Sequence, residues 1–146
     1  PTEIYLDNEK VLLMHGDTLC TDDVKYQNWR KFITNPLIKW IYSIMTLALR
    51  QRIAYGVRGY TAQAVKNKSP EITDVSQNSV VNTMRNHIVA TLIHGHTHRK
   101  AIHKLEIDGV PAKRIVLGDW YELDSVLIYD EAGFRLERVA NYINNN

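Results

Sequence analysis

The period of the apolar positions changes along this chain, and each change marks an element. Ile4 to Leu6 and Val11 to Met14 are short, mostly apolar runs, which predicts two strands joined through the turn-rich Asp7-Asn8-Glu9-Lys10. From Asp23 the spacing becomes helical. Tyr26, Trp29 and Ile33 fall on one face behind a capping Thr21 or Asp22, and such a stripe predicts packing into a core. Asn35-Pro36 restarts a helix, with a capping side chain followed by proline at the first helical position. In the run Leu37 to Leu49 only Lys39, Ser43 and Thr46 break the apolarity, and these share one narrow strip, so most of the helix circumference is apolar. Gly56 and Gly59 are expected to loosen the chain before Thr61. Ser69-Pro70 predicts another helix, to about Asn86, that buries Val75, Val80, Val81 and Met84.

Beyond that helix the pattern becomes β. Val89 to Ile93 is short and β-branched-rich, reading as a buried strand that ends at Gly95. Ile102, Lys104 and Glu106 alternate with His103, Leu105 and Ile107 ahead of Asp108-Gly109, a strong hairpin turn. Ile115 to Leu117 pairs back, and Val126 to Tyr129 with Phe134 to Val139 form a second hairpin around Glu131-Ala132-Gly133. The expected fold class is α+β or layered α/β/β/α, and 146 residues suffice for one modest core.

Charge sharpens this picture. From Val24 to Lys68 there are nine basic residues and no acidic one, leaving −7 on the remainder of a chain whose net charge is +2. That asymmetry points to an anionic partner. Arg50 and Arg52 directly follow the apolar helix, an arrangement that favours an anionic membrane surface. The helix is too short to span a bilayer, which takes about 20 apolar residues. An ordinary packed helix is the alternative. A single cysteine, Cys20, and the lack of a secretory leader pattern suggest a reducing, cytoplasmic setting.

The candidate chemistry lies where two apolar runs stop. His94, His96 and His98 follow the run ending at Ile93, and His15-Gly16-Asp17 follows the run ending at Met14. If the backbone stays near-extended past Gly95, His96 and His98 lie on one side of it; His94 is expected to point away into the fold. Three histidines in five residues, with a glycine that admits close backbone approach, suggest metal binding rather than solvated loop residues. No helical His-Glu-x-x-His pair is present, and one cysteine does not make a structural zinc site. An imidazole cluster suits Zn, Mn, Fe or Ni, with added carboxylates favouring harder ions. Asp17 either orients His15 or caps a turn. His87 and His103 stand alone and are read as structural or solvated.

The segments Met14 to Asp23, Tyr26-Gln27, Ile93 to Arg99 and Val116-Leu117-Gly118-Asp119-Trp120 together resemble the last metal-binding motifs of the calcineurin-like metallophosphoesterases. They are most similar to the branch that cleaves a UDP-diacylglucosamine-type lipid in bacterial lipid A synthesis. The resemblance covers nearly the whole chain, and is weakest between Ile33 and Val57 and in the Asn-rich tail. That family's opening Asp-x-His, Gly-Asp and Gly-Asn-His-Asp motifs are absent, so the similarity is to a C-terminal part.

The resemblance implies a partial α/β/β/α sandwich with a helical insert over residues 24–68 acting as a lid for acyl chains. It implies two divalent ions, Mn2+ by expectation, with His15 and His96 on one and His98 on the other. His96 would also touch the substrate phosphate, and Asp23, Tyr26, Arg58, Thr61 and Lys68 would contact the rest of the substrate. Val65 stands where relatives often have a polar residue. Two ions about 3.5–4 Å apart can share a hydroxide for in-line attack on phosphorus, so no protein nucleophile is required. The implied location is the cytoplasmic face of the bacterial inner membrane, held peripherally, with no nucleic-acid partner. The isolated chain is expected to be inactive, lacking the upstream ligands. Two alternatives remain: a metallophosphoesterase for another phosphodiester or nucleotide, and a non-catalytic metal-binding or membrane-associating module.

Overall fold

The computed structural model describes residues 1–66, 70–121 and 124–140, with the side chains of residues 60–71 left out. In chain order the elements are β1 (Thr2–Leu6), β2 (Glu9–Met14), a 3-10 turn (Asp17–Leu19), α1 (Val24–Thr34), α2 (Pro36–Ile44), α3 (Leu47–Lys66), α4 (Pro70–Thr73), α5 (Gln77–His87), β3 (Thr91–His94), β4 (Ala101–Ile107), β5 (Val110–Val116), β6 (Ser125–Asp130) and β7 (Gly133–Arg138). They divide into two units, Pro1–Leu19 with Val75–Asn146, and Cys20–Asp74.

The first unit is mixed α/β. Its five-stranded sheet has the order β1-β2-β3-β5-β4, and β6 and β7 make a separate two-stranded sheet. β2, β3 and β5 run parallel, while β1 and β4 are antiparallel edge strands. The first hairpin connection is shorter than the sequence suggests. Leu6 pairs with Glu9, so only Asp7 and Asn8 turn the chain, both at positive φ. Asp108 and Gly109 do the same between β4 and β5, the left-handed two-residue turn that matches strand twist.

Alternation along the strands sorts the core into two layers. Leu12, Leu92 and Ala112 pack with Val80, Met84, Val89 and Leu19 on the α5 side of the sheet. Val11, Ile93 and Ile115 face the other way and pack against Leu127, Phe134 and Leu136 of the second sheet. β3 is buried along its whole length, as befits the middle strand of a parallel set covered on both faces. Each fully buried Leu, Ile or Val contributes about 1.5–3 kcal/mol.

The helix expected from Pro70 to Asn86 is interrupted: α4 stops at Thr73 and α5 restarts at Gln77. Within the first unit the Ser76 amide donates to the Leu19 carbonyl at 2.9 Å, which takes that amide out of a continuous helix. Val80 and Met84 are buried as expected, while Val75 packs against that core only partly buried and Val81 is likewise half-buried. His87 is not isolated. Its Nδ1 lies 2.8 Å from Glu3, whose other oxygen accepts from Lys10 at 2.9 Å. The hydrogen bond to His87, followed by that from Lys10, holds the Glu3 carboxyl below its ordinary range. Arg85 likewise grips Asp108 with two hydrogen bonds, at 2.8 and 2.6 Å, and lowers its pKa.

The second unit is helical. Asp23 caps α1 by accepting from the Tyr26 amide at 3.0 Å, and Asn35 caps α2 by accepting from the Leu37 amide at 2.9 Å, with Pro36 at the first helical position. The apolar run Leu37 to Leu49 is broken at Met45-Thr46. Arg50 sends Nε to the Met45 carbonyl and Nη2 to the Ser43 carbonyl, each at 2.9 Å, and so satisfies groups left open by the end of α2. α1 and α2 bury no residue, so the stripe of Tyr26, Trp29 and Ile33 is not a core face; Trp29 instead stacks on Phe32 with ring centres 5.8 Å apart. Leu37, Trp40, Ile44 and Leu47 are each at least 60% exposed. Among the described residues no helix is long and apolar enough to cross a membrane.

Gly56 and Gly59 do not loosen the chain, since α3 runs through both. An added methyl would meet nothing within 4 Å at either position. Gly56→Ala and Gly59→Ala should therefore each raise stability, by about 0.5–1 kcal/mol, through reduced backbone entropy in the unfolded chain. Guanidinium unfolding measures this, and a loss at either site would mean that the glycine serves a contact.

Candidate metal centre

Because β2, β3 and β5 are parallel, their C-terminal exits lie at one end of the sheet. The register aligns Met14 with His94 and His94 with Val116, so the three strands finish level. Two backbone hydrogen bonds continue the ladder past the strands: the Gly95 amide donates to the His15 carbonyl at 3.1 Å, and the Leu117 amide donates to the His94 carbonyl at 2.8 Å. The two His-Gly segments are thereby laced side by side.

This brings His15 and His96 together, with ring centres 4.9 Å apart and planes inclined at 62°. Asp17, which also opens the 3-10 turn, lies against His15: its Oδ1 is 3.1 Å from His15 Nδ1. When Nδ1 carries the hydrogen of that contact, Nε2 presents its lone pair, the arrangement by which a carboxylate fixes a metal-binding imidazole. His94 turns into the fold, buried on the α5 side, with Nδ1 2.9 Å from the Gly95 carbonyl.

The route to this geometry differs from the sequence expectation in two respects. The chain is not extended beyond Gly95, since His96 and His98 both adopt left-handed backbone conformations, φ 65° and 55°. Alternation of side chains in an extended strand therefore does not place them. The close approach is made by Gly16 rather than Gly95. Gly16 has φ 105°, and a Cβ there would meet His94 Nδ1 at 2.8 Å, whereas one on Gly95 would meet the His15 carbonyl at an ordinary 3.8 Å. The glycine inside His15-Gly16-Asp17 was the visible signal for this contact, but its partner is 78 residues away in sequence.

Among the described residues no three His, Cys, Asp or Glu side chains form a group that would hold a metal ion. The donors present fit part of such a site, namely a pair of imidazoles with a carboxylate behind one of them. His98 is exposed at the same strand exit. Asp23, Tyr26 and Arg58 belong to the helical unit. Asp23 is buried as the α1 cap, and Arg58 with Gln51, Ala54 and Tyr55 lines a cavity of about 250 Å3. Lys68 and the side chain of Thr61 lie outside the described residues.

The arrangement defines a layered α/β protein with histidines gathered at the ends of parallel strands. No family model matches the chain. Curated relatives do. The chain is 51% identical over 136 residues to the UDP-2,3-diacylglucosamine hydrolase of Pseudomonas entomophila, covering 93% of this chain and 57% of that protein. It is 44% identical over 136 residues to the protein of the same name in Azotobacter vinelandii, covering 93% and 56%. For the Aeromonas hydrophila protein of that name the identity is 45% over 140 residues, covering 96% and 58%. The resemblance to the branch that cleaves a UDP-diacylglucosamine-type lipid is thus borne out, and the chain spans somewhat more than half the length of these relatives.

Gly16→Ala should destabilise the protein by about 1–3 kcal/mol, because the methyl adds to an unfavourable positive φ and collides with the buried His94 ring. Thermal unfolding measures the loss, and an unchanged midpoint would show that the strand exits do not pack as described.

Proposed function

We propose that this chain forms part of a metal-dependent hydrolase of the calcineurin-like metallophosphoesterase type. The reaction is cleavage of the pyrophosphate of UDP-2,3-diacylglucosamine to UMP and 2,3-diacylglucosamine 1-phosphate, a step of lipid A synthesis. The observation that carries this reading is the pairing of His15 with His96 at the strand exits, in a chain half identical to relatives bearing that enzyme's name. The two packed sheets with α5 outside one of them suit part of an α/β/β/α sandwich.

In this reading His15 and His96 ligate one divalent ion and His98 a second, with Mn2+ the expected metal. When bound, the ions supply a hydroxide and neutralise charge on the phosphoryl oxygens. Asp17 keeps His15 in the ligating tautomer. His96 also meets the phosphate. In the helical unit Asp23, Tyr26, Arg58, Thr61 and Lys68 contact substrate, and the exposed apolar residues of α2 and the start of α3 receive the acyl chains. The basic, acid-free stretch over residues 24–68 holds the protein peripherally on the anionic inner leaflet.

Three histidines are too few for a dinuclear site, so the 146-residue chain alone should turn over poorly even with Mn2+. In a polypeptide of the relatives' full length, release of UMP should be Mn2+-dependent. Asp17→Asn should weaken metal binding there by about 10–100-fold, and His96→Ala should abolish turnover. Full activity of the His96→Ala protein would refute the assignment.

The membrane role is tested by sedimentation with vesicles. Binding to phosphatidylglycerol-containing vesicles should fall steeply between low and physiological salt. It should be lost on charge reversal of Arg50 with Arg52, the latter alone serving as a control because Arg50 also holds the α2 end. Equal binding to neutral vesicles would refute electrostatic attachment.

A further inference from the structure

We propose that His94 is a positioning residue for the metal centre, its ring fixing the Gly95 carbonyl on which the turn at His96 is built. This rests on the metal-dependent hydrolase reading and adds to it a residue that is not itself a ligand. β3 is buried at all four of its positions, and His94 closes it at 1% exposure. Burying a polar ring costs free energy unless it is hydrogen-bonded, and a leucine would fill such a place without that cost. What the ring donates to accounts for its presence.

His94 Nδ1 lies 2.9 Å from the Gly95 carbonyl oxygen. That oxygen can only accept, so Nδ1 carries the hydrogen and the tautomer is set. The same carbonyl accepts from the Thr97 amide at 2.8 Å, closing a three-residue turn with His96 at its centre, φ 65°. Turns of this kind at positive φ are rare and strained, and they persist where neighbouring contacts over-determine them. Three contacts do so here. The Gly95 amide donates to the His15 carbonyl at 3.1 Å, and the His94 carbonyl accepts from the Leu117 amide at 2.8 Å. The His94 ring supplies the third, from inside the fold.

The segment that carries His15 meets the same two atoms. A methyl on Gly16 would meet His94 Nδ1 at 2.8 Å and the Gly95 oxygen at 3.3 Å, so this donor and acceptor lie directly against the backbone between His15 and Asp17. One hydrogen bond thus sits beneath both His-Gly segments. Rotation of the Gly95 carbonyl away from His94 would swing the turn, and with it the His96 ring, whose centre is 4.9 Å from that of His15. Metal–nitrogen bonds of about 2.0–2.1 Å leave little room for such a swing.

The test compares three variants of the metal-free chain. In His94→Asn the side-chain amide nitrogen stands close to the place of Nδ1, in His94→Gln it reaches beyond it, and His94→Leu has no donor. Nuclear Overhauser contacts between the ring hydrogens of His15 and His96 should persist in His94→Asn and be lost in the other two. Zn2+, a diamagnetic probe that imidazoles bind, should bind His94→Asn within about threefold of the unaltered chain, and His94→Gln and His94→Leu about tenfold more weakly. Unchanged ring contacts and Zn2+ affinity in His94→Gln and His94→Leu would overturn the role. Equal losses in His94→Asn and His94→Leu would overturn it too, since the ring would then act by shape alone, as would failure of all three variants to fold. If His94→Leu alone does not fold, the comparison of Asn with Gln decides. The ring contacts are read without metal, so their outcome is separate from the hydrolase reading, which is judged by Mn2+-dependent release of UMP in a polypeptide of the relatives' full length.

Discussion

The parallel pairing of β2, β3 and β5 is the constraint on which the candidate site depends. Its register finishes three strands at one level, and two further backbone hydrogen bonds carry the pairing into the exits. A slip of one residue in β3 would exchange Leu92 with Ile93 between the two cores. It would also drive His94 out of the interior, where Gly16 has no side chain in order to admit it. Because both faces of β3 are buried, every such slip costs apolar burial on two sides at once. The separation of His15 and His96 is thus enforced by core packing that includes neither ring.

Much of this was legible in short stretches of sequence, because the deciding physics is local there. Asp108-Gly109 is a turn by its own backbone preferences, and Asn35-Pro36 starts a helix with its own side chain and ring. His15-Gly16-Asp17 and Gly95-His96 marked the strand exits for the same reason. What stayed hidden depends on partners distant in sequence or on tertiary conformation. Glu3 finds His87 across 84 residues, and Gly16 finds His94. The left-handed backbones at His96 and His98 replace the extended strand that alternation assumes. Two glycines in α3 looked like breakers, yet their cost of about 1 kcal/mol each is within what a 20-residue helix sustains.

The helical unit shows the limit of periodicity in another way. An apolar stripe reports that a helix has an apolar side, and says nothing about what covers it. Tyr26, Trp29 and Ile33 have the spacing of a core face, but α1 contributes nothing buried. The break between α2 and α3 is equally opaque to pattern, since it depends on Arg50 folding back onto carbonyls five and seven residues earlier. Arg50 therefore has a structural task as well as a charge, which separates it from Arg52 in any account of the basic segment.

The two units differ in the precision that their proposed ligands demand. Metal–nitrogen bonds of about 2.0–2.1 Å tolerate little displacement, so imidazoles are best mounted on backbone that is locked by hydrogen bonds and buried beneath. His15, with Asp17 at its Nδ1 and its carbonyl bonded to Gly95, meets that demand. Acyl chains make no directional bonds, and their attraction scales with the apolar area withdrawn from water. Exposed Leu37, Trp40, Ile44 and Leu47, on two helices joined by an arginine-held corner, offer such area without fixing a single geometry. Burying those side chains in a core would have stabilised the free protein, so their exposure has a use only where something apolar covers them.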